Sequence, residues 1–165
     1  MPLGSAETLA LAGMMGSGKS TVAAVLGRLL RRPVVSLDAE IARAAGKPIP
    51  AIFAEDGEAA FRALERVAVA SLRPGVVADL GGGAFCDPES AARLLAVGRV
   101  VFLDVSAAEA ARRIGAGAGR DGRPLADRWS ALLARRLPLY RRAHLVVDVD
   151  ARSPEAVARR IVEAL

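Results

Sequence analysis

A short segment near the N-terminus carries a pattern that binds phosphate. Residues 13–20 read GMMGSGKS, which matches G-x-x-x-x-G-K-[ST], and they lie between an apolar run and a helical pattern. In such a loop, backbone N–H groups surround phosphate oxygens at the N-terminus of a helix, where the dipole favours anions. The Lys19 side chain can reach the β- and γ-phosphates, and the Ser20 hydroxyl can ligate Mg²⁺. The predicted nucleotide contacts in this loop are Gly16, Ser17, Gly18, Lys19, Ser20 and Thr21.

Two aspartates follow apolar runs and could supply the acids that phosphoryl transfer needs. Asp38 comes after the second run, where a carboxylate can accept hydrogen bonds from a diol, orient the attacking oxygen and take its proton late. Asp79 ends the run VVAD, which has the pattern of a Walker B strand, whose aspartate holds Mg²⁺ in many P-loop proteins. The chain carries no guanine-binding motif and is short for a motor protein. These features favour a kinase that acts on a small acceptor.

Length and composition narrow the class of protein further. The 165 residues are 53% hydrophobic and 25% charged, which excludes a disordered chain, and no apolar run is long enough to span a bilayer. A single cysteine, Cys86, indicates a reducing compartment, so we expect a cytoplasmic protein without a targeting segment. The net charge of +5 would suit small anions, membranes or nucleic acid, but the arginines are scattered and lack the interleaved aromatics of a nucleic-acid platform. We expect a monomer whose partners are small molecules.

Short apolar runs alternate with amphipathic stretches along the whole chain. This alternation predicts one α/β domain, residues 1–165, in which helices cover both faces of a five-stranded parallel sheet to form three layers. The predicted strands are Thr8–Ala12, 33–37, 76–80, 99–105 and 145–149. The predicted helices are Lys19–Leu30, 58–72, 88–96, Ala107–Ile114, 129–142 and a last helix that begins after Ser153. Segments 39–53 and 115–128 do not fit the alternation and are candidates for functional insertions.

Further motifs, in consistent order along nearly the whole chain, resemble those of the shikimate kinases, which belong to the nucleoside-monophosphate-kinase-like class. Besides the P-loop, they are Asp38, Gly57, Glu58, Phe61, Arg62, Glu65, the glycine triplet at 81–83, the RPL sequence at 123–125, Arg136 and the PLY sequence at 138–140. The resemblance implies a P-loop NTPase fold with strand order 2-3-1-4-5. It also implies ATP-dependent phosphorylation of the 3-hydroxyl of shikimate, a step of aromatic amino acid biosynthesis.

The resemblance assigns the acceptor site. It implies that Asp38 binds the hydroxyls of shikimate and that Arg62 and Arg136 bind its carboxylate. Two guanidinium groups from distant segments have matched donors for a planar carboxylate. The resemblance also implies that the backbone of Gly81, Gly82 and Gly83 approaches the same ligand closely. The stretch 38–72 would then be the substrate-binding insertion of the domain.

The resemblance also assigns the rest of the ATP site. It implies that Arg123 contacts the ATP phosphates from a glycine-rich lid at 115–128, which closes over the nucleotide and excludes water. Arg113 and Arg152 lie at positions associated with the adenine. The predicted catalytic residues are Lys19, Asp38 and Arg123.

Simpler roles remain open for the acceptor residues. Asp38 could only cap the helix that follows it, and the three glycines could only form a turn. Arg62 lies three and four residues from Glu65 and Glu58, so it could belong to an exposed ion-pair network. The two interpretations of Arg62 are compatible, because Glu65 could also hold the guanidinium in position for a ligand.

Several other residues are hard to assign from the sequence alone. Arg120 could substitute for Arg123 in the lid, and Trp129 is expected to anchor the following helix by packing. Arg113 and Arg152 could also be surface residues without a ligand. Only the resemblance selects Arg136 from a helix that also carries Arg135, Arg141 and Arg142.

One position departs from the pattern of the family. Shikimate kinases usually carry two aspartates spaced by one residue after the second strand, the first near Mg²⁺ and the second on the substrate. Here Ser36 stands at the first position and only Asp38 remains. We hypothesise that Asp79 replaces the missing carboxylate near Mg²⁺; alternatively, Asp79 caps the glycine turn or pairs with an arginine.

Two other functions remain open at this stage. One is a kinase for another small hydroxy acid, such as gluconate, since the arginines favour a carboxylate but do not specify the rest of the acceptor. The other is a catalytically weak nucleotide-binding module, and Ser36 is the only feature that favours it.

Overall fold

The fold is organised around five parallel strands. The computed structural model describes residues 2–115 and 125–165. The strands are β1 (Thr8–Ala12), β2 (Val34–Ser36), β3 (Val77–Asp79), β4 (Gly98–Asp104) and β5 (Leu145–Asp148). Their spatial order is β2-β3-β1-β4-β5, and every neighbouring pair is parallel. The predicted fold class and strand order are therefore confirmed, with β2 and β3 one residue shorter at each end than predicted.

Helices connect and cover these strands. They are α1 (Lys19–Leu30), α2 (Leu37–Ala45), α3 (Ile49–Glu55), α4 (Gly57–Ala70), α5 (Pro88–Val97), α6 (Ala107–Ile114), α7 (Leu125–Tyr140) and α8 (Pro154–Ala164). Ser153 caps α8 as predicted, because its side chain accepts a hydrogen bond from the N–H of Ala156. None of the helices in the described ranges is long and apolar enough to cross a membrane.

Two segments that interrupt the predicted alternation contain helical structure. Segment 39–53 falls within α2 and α3, two short helices separated by the sequence GKP, so its helical pattern was too short to recognise. The predicted segment 115–128 is too long at its C-terminal end, since α7 begins at Leu125. Residues 125–128 read LADR, and Leu, Ala and Arg favour helices. The many glycines before them hid the start of α7 in the sequence.

The core lies at the centre of the sheet. All five residues of β1 are buried, and Leu9 and Leu11 are fully inaccessible. Phe102 of β4 stacks on Tyr140 of α7, with ring centroids 4.8 Å apart. By contrast, the edge strands β2 and β5 leave several residues exposed. A central parallel strand is covered by helices on both faces, which explains its continuous apolar sequence.

The strand register brings the candidate site residues to one edge of the sheet. Ser36 of β2 and Asp79 of β3 are paired across neighbouring strands, and Asp79 is paired with Leu11 of β1 on its other side. The P-loop follows β1, Asp38 follows β2, and the glycine triplet follows β3. In open parallel sheets, ligands bind in the crevice at the carboxyl ends of the strands.

A close backbone contact joins the start of β4 to β1. Thr8 and Gly98 are paired in register, and a Cβ atom at Gly98 would overlap the carbonyl oxygen of Thr8. The φ angle of Gly98 is −174°, which any residue can adopt, so lack of space alone excludes a side chain. We expect Gly98→Ala to lower the free energy of unfolding by about 3 kcal/mol in guanidinium denaturation. Gly4→Ala, which would meet only the flexible Glu7 side chain, should lower it by less than about 0.5 kcal/mol, and equal losses would contradict this account.

Candidate active site

The P-loop has the geometry of an anion-binding turn. Gly16 and Gly18 have φ angles of 82° and 84°, in the left-handed region that favours glycine. Lys19 folds back over the loop, and its Nζ donates hydrogen bonds to the carbonyl oxygens of Gly13 and Met14 at 2.8 and 3.2 Å. Burial lowers the pKa of Lys19, and the carboxylates of Asp79 and Asp38 oppose this shift. The ammonium is thus held beside the loop with both acids close to it.

A direct hydrogen bond links the P-loop to the third strand. The Ser20 hydroxyl donates to Oδ2 of Asp79 at 2.6 Å, and Asp79 is only 9% exposed. Among the described residues, no group of three or more acidic, histidine or cysteine side chains could hold a metal by itself. One hydroxyl and one carboxylate suit Mg²⁺, which usually takes one or two protein ligands and completes its octahedron with phosphate oxygens and water. The donor set therefore fits a magnesium ion bound together with a nucleotide.

A cavity of about 250 Å³ opens beside the P-loop. Its lining includes the two arginines predicted for the adenine, with Gly18, Thr21 and Pro154. The Arg113 side chain is held in place from three sides, because it donates to Glu109 Oε1 at 2.8 Å, to the Gly16 carbonyl at 3.2 Å and to the Val149 carbonyl at 2.9 Å. The other predicted arginine, Arg152, is exposed at the cavity. The structure thus brings both arginines to one cavity adjoining the phosphate loop.

A second cavity, of about 240 Å³, lies on the other side of the site. Arg62 of α4 and Arg136 of α7 both line it, together with Asp87, whose carboxylate is paired with Arg66 at 2.7 Å. The Arg62 Nη1 atom lies 2.8 Å from Oε1 of Glu65, which is 1% exposed. Burial raises the pKa of Glu65, whereas its ion pair with Arg62 lowers it. The cavity is therefore a cationic pocket in which a buried glutamate orients one of the two guanidinium groups.

The glycine triplet provides the space that these side chains occupy. A Cβ atom at Gly81 would lie 2.7 Å from Oδ1 of Asp38, and one at Gly82 would lie 2.9 Å from Nη1 of Arg136. A Cβ atom at Gly83 would overlap the Nη1 atom of Arg62. None of the three glycines has a positive φ angle. Each glycine thus makes room for one predicted acceptor residue, and the backbone conformation does not require any of them.

The structure distinguishes Arg136 from the other arginines near it. Arg136 is half-buried in the cationic pocket, whereas Arg135, Arg141 and Arg142 are exposed. This difference depends on how α7 packs, which the local sequence does not reveal. The helix also brings Tyr140 to the site, and sequence reasoning assigned that residue no role.

Tyr140 is fully buried beneath the cationic pocket. Its hydroxyl donates a hydrogen bond to the Gly82 carbonyl, and the same oxygen lies 3.8 Å from Sδ of Met14 in the P-loop. Burial raises the pKa of Tyr140, so the phenol stays protonated and can donate. The only available signal was the PLY sequence at 138–140, which carries no mechanism by itself.

Asp38 lies in the first turn of α2 and faces the site. The hydroxyl of Ser36 caps this helix by accepting from the N–H of Ala39 at 3.4 Å, so Asp38 is not the capping residue. Partial burial and then the nearby Asp79 raise the pKa of Asp38, while Lys19 and Arg62 oppose this shift. A carboxyl group with a raised pKa beside two cations has the properties of a proton acceptor.

Part of the predicted ATP site lies outside the described residues. Arg123 and its possible substitute Arg120 fall within residues 116–124, so their roles stay predictions. Trp129, expected to anchor α7 by packing, is 3% exposed, and its Nε1 also donates to the Met15 carbonyl at 2.9 Å.

The fold and the site together define a class of protein. A phosphate loop between β1 and α1, a hydroxyl–carboxylate pair whose donors would fit Mg²⁺ and an adjoining cationic pocket are the features expected of a small P-loop kinase. The sequence model of the shikimate kinase family matches residues 15–165. The chain belongs to the shikimate kinase family.

Individual relatives match over nearly the whole chain. The shikimate kinase of Limosilactobacillus fermentum is 44% identical over 166 residues, covering 95% of this chain and 94% of the relative. The shikimate kinase of Thermobifida fusca is 46% identical over 162 residues, covering 94% and 92%. Among solved structures, the shikimate kinase of Acinetobacter baumannii in complex with shikimate has a TM-score of 0.86 and 33% identity, covering 96% of this chain and 92% of that one.

Proposed function

We propose that this protein transfers the γ-phosphoryl group of ATP to the 3-hydroxyl of shikimate, giving shikimate 3-phosphate and ADP. One observation carries the proposal: Arg62 and Arg136, from helices far apart in the chain, line one pocket next to Asp38 and the P-loop. The two guanidinium groups suit a carboxylate, and Asp38 suits the hydroxyls of the same ligand. Membership of the family supports shikimate as that ligand.

On the donor side, the chain binds and orients the triphosphate. Backbone N–H groups of the P-loop bind phosphate oxygens, and Lys19 moves from its own loop carbonyls to the β- and γ-phosphates. Bound Mg²⁺ would supply charge neutralisation at the transferring group. Ser20 and Asp79 are the residues proposed to hold it, and the cavity beside Arg113 and Arg152 is proposed to take the adenine.

On the acceptor side, the chain positions the nucleophile and removes its proton. Arg62 and Arg136 hold the carboxylate, so the ring is oriented with its hydroxyls toward Asp38. The 3-oxygen forms a bond to the γ-phosphorus while the bond to the β–γ bridging oxygen breaks, and the proton passes to the Asp38 carboxylate. Burial and Asp79 raise the pKa of Asp38, which makes it a better acceptor for that proton.

The proposal extends to the parts of the ATP site and to the setting of the enzyme. Arg123 is proposed to contact the ATP phosphates, with residues 115–124 and the start of α7 as the lid that excludes water. The kinase is proposed to act as a monomer, since one chain supplies the side chains assigned to the acceptor pocket. It is proposed to be cytoplasmic, because its single cysteine suits a reducing compartment.

The proposed magnesium role of Asp79 leads to a direct prediction. Because Asp79 accepts the Ser20 hydrogen bond, Asp79→Asn should raise the half-saturating Mg²⁺ concentration about tenfold, with a much smaller change in the acceptor KM. Initial rates over a Mg²⁺ titration measure this. Adding Ser36→Asp to this variant places a carboxylate at the paired position of β2, so it should lower the half-saturating Mg²⁺ concentration most of the way back. Asp caps a helix as well as Ser, so α2 should keep its N-terminal cap. Equal small effects on both constants would contradict the assignment.

The reaction itself is tested by a coupled assay of ADP release. The purified protein is given ATP and Mg²⁺ with shikimate, quinate, gluconate or no acceptor. We expect turnover with shikimate and only background release in the other three. Turnover with gluconate instead would indicate a kinase for another hydroxy acid. Equal release with and without any acceptor would indicate ATP hydrolysis or a nucleotide-binding module.

A further inference from the structure

Side chains donate hydrogen bonds to four successive carbonyl groups of the P-loop. Lys19 donates to the carbonyls of Gly13 and Met14, as described above. The next carbonyl, that of Met15, accepts from Nε1 of Trp129 at 2.9 Å, and the next, that of Gly16, accepts from Arg113 at 3.2 Å. Two of the three donors therefore come from outside the loop, from α7 and α6.

Holding a carbonyl also orients the amide on the same peptide bond. Since the peptide unit is planar and trans, the C=O of one residue and the N–H of the next point in opposite directions. The indole of Trp129 thus sets the direction of the Gly16 N–H through the Met15 carbonyl. Amides of a P-loop are the groups that meet phosphate oxygens. The orientation of this peptide should therefore influence how well the loop binds a nucleotide.

The same helix reaches the P-loop at a second point. Arg136 and Tyr140 follow Trp129 at spacings of seven and eleven residues, which place all three on one face of α7. Nη1 of Arg136 lies 4.0 Å from Sδ of Met14, and Oη of Tyr140 lies 3.8 Å from it. The helix that carries Arg136 into the acceptor pocket thus also contacts two successive residues of the phosphate loop.

We infer that Trp129 is a positioning residue for the nucleotide site, because its indole N–H holds the Met15–Gly16 peptide in the orientation that binds phosphate. Trp129 is 3% exposed, so its ring packs in the core while the one polar atom of its side chain reaches the loop. Phenylalanine would keep most of the packing and remove only the donor. This inference rests on the nucleotide site of the proposed function and not on the identity of the acceptor.

The test compares Trp129→Phe with a matched variant, Thr8→Val. Thr8 is 3% exposed, and its hydroxyl donates to the Arg73 carbonyl at 3.3 Å, so this variant also removes one donor from a buried residue to a backbone carbonyl. Thr8 stands at the start of β1, at the opposite end of the strand from the P-loop. Calorimetric titration with ADP at constant Mg²⁺ measures nucleotide affinity, and titration with shikimate measures acceptor affinity.

We expect Trp129→Phe to weaken ADP binding about fivefold to tenfold while shikimate binding changes less than about twofold. Thr8→Val should leave both affinities within about twofold of the wild type. ADP affinity unchanged in Trp129→Phe, or an equal loss for both ligands, would overturn the inference. Failure of the proposed acceptor chemistry would leave the ADP comparison interpretable, because that comparison involves no phosphoryl transfer.

A second measurement needs no variant. Trp129 is the one tryptophan of the chain, so a ¹⁵N-labelled wild-type protein gives a single indole N–H resonance. We expect this proton to exchange slowly with solvent and to shift when ADP is added. Rapid exchange without ADP, or no shift at saturating ADP, would contradict a hydrogen bond that controls the nucleotide loop.

Discussion

Replacing Asp38 with asparagine is expected to lower kcat about 1000-fold, the largest effect on activity that we predict. Asparagine keeps the shape of the side chain and can still accept a hydrogen bond, but it cannot take the proton of the attacking hydroxyl. The carboxyl of Asp38 lies directly over Gly81, with Lys19 and Arg62 near enough to affect its pKa. Initial rates of ADP release at saturating shikimate and ATP measure the loss.

Two controls separate this chemical role from damage to the fold. Glu40→Gln changes an acid in the same turn of α2, where Glu40 pairs with Arg43 at the surface, and kcat should stay within about twofold. Asp38→Asn should not lower the free energy of unfolding. The carboxylate that it removes is one whose charged form is disfavoured by burial and then by the nearby Asp79. A Asp38→Asn variant with more than about a tenth of the wild-type kcat would show that another group takes the proton.

The raised pKa of Asp38 predicts how kcat depends on pH. The form of Asp38 that accepts a proton is the carboxylate, which predominates above its pKa. Since burial and Asp79 raise that pKa, the fall of kcat on the acid side should begin at a higher pH than for an ordinary aspartate. The residual activity of Asp38→Asn should lack this acid limb.

Replacing Gly83 with alanine is expected to lower kcat/KM for shikimate about 100-fold. The new Cβ would overlap the Nη1 atom of Arg62 and lie 2.8 Å from its Cζ, so the guanidinium must leave its place beside Glu65. Arg62 is one of the two cations proposed for the acceptor carboxylate. Nucleotide binding should change little, because the hydrogen bonds described for Arg62 join it to Glu65 and Glu58 of the same helix and not to the P-loop. Steady-state kinetics with each substrate varied in turn separate these two effects.

A double-mutant cycle tests whether the glycine acts through the arginine. If Gly83→Ala works by displacing Arg62, adding it to Arg62→Ala should cost little more than Arg62→Ala alone. Fully additive losses would mean that Gly83 contributes to the site in another way, such as close approach of its own backbone to the ligand. An unchanged KM and kcat in Gly83→Ala would show that Arg62 can move without loss of function.

The proposed replacement of an acid at Ser36 by Asp79 has a simple geometric basis. Neighbouring parallel strands lie about 4.8 Å apart, and Ser36 and Asp79 are paired directly across that distance. A carboxylate at either position can therefore approach the Ser20 hydroxyl from adjacent strand ends. Ser36 keeps a separate structural task as the cap of α2, and the departure from the family pattern does not leave the phosphate loop without an acid.

Features set by short stretches of sequence were predictable for this protein. Buried strands need continuous apolar residues, so β1 was located at its observed bounds, and α1 and α6 were too. The P-loop and the cap at Ser153 depend on a few consecutive residues whose backbone preferences are local. The short helices α2 and α3 were missed because their stability comes from burying Leu37, Ile41 and Ile52 against other elements, which no local pattern reveals.

Packing between distant segments determined how the side chains of the candidate site come together. The sequence supplied the glycines, the arginines and the aromatic residues, but their roles depend on neighbours tens of residues away. Only the tertiary structure shows that each glycine of the triplet makes room for one of the side chains proposed to bind the acceptor, and that Arg136 rather than Arg135 enters the pocket. It also brings Trp129 to the Met15 carbonyl, 114 positions away along the chain. Such contacts depend on how a helix packs against the sheet, because packing, and not the neighbouring residues in the sequence, orients its side chains.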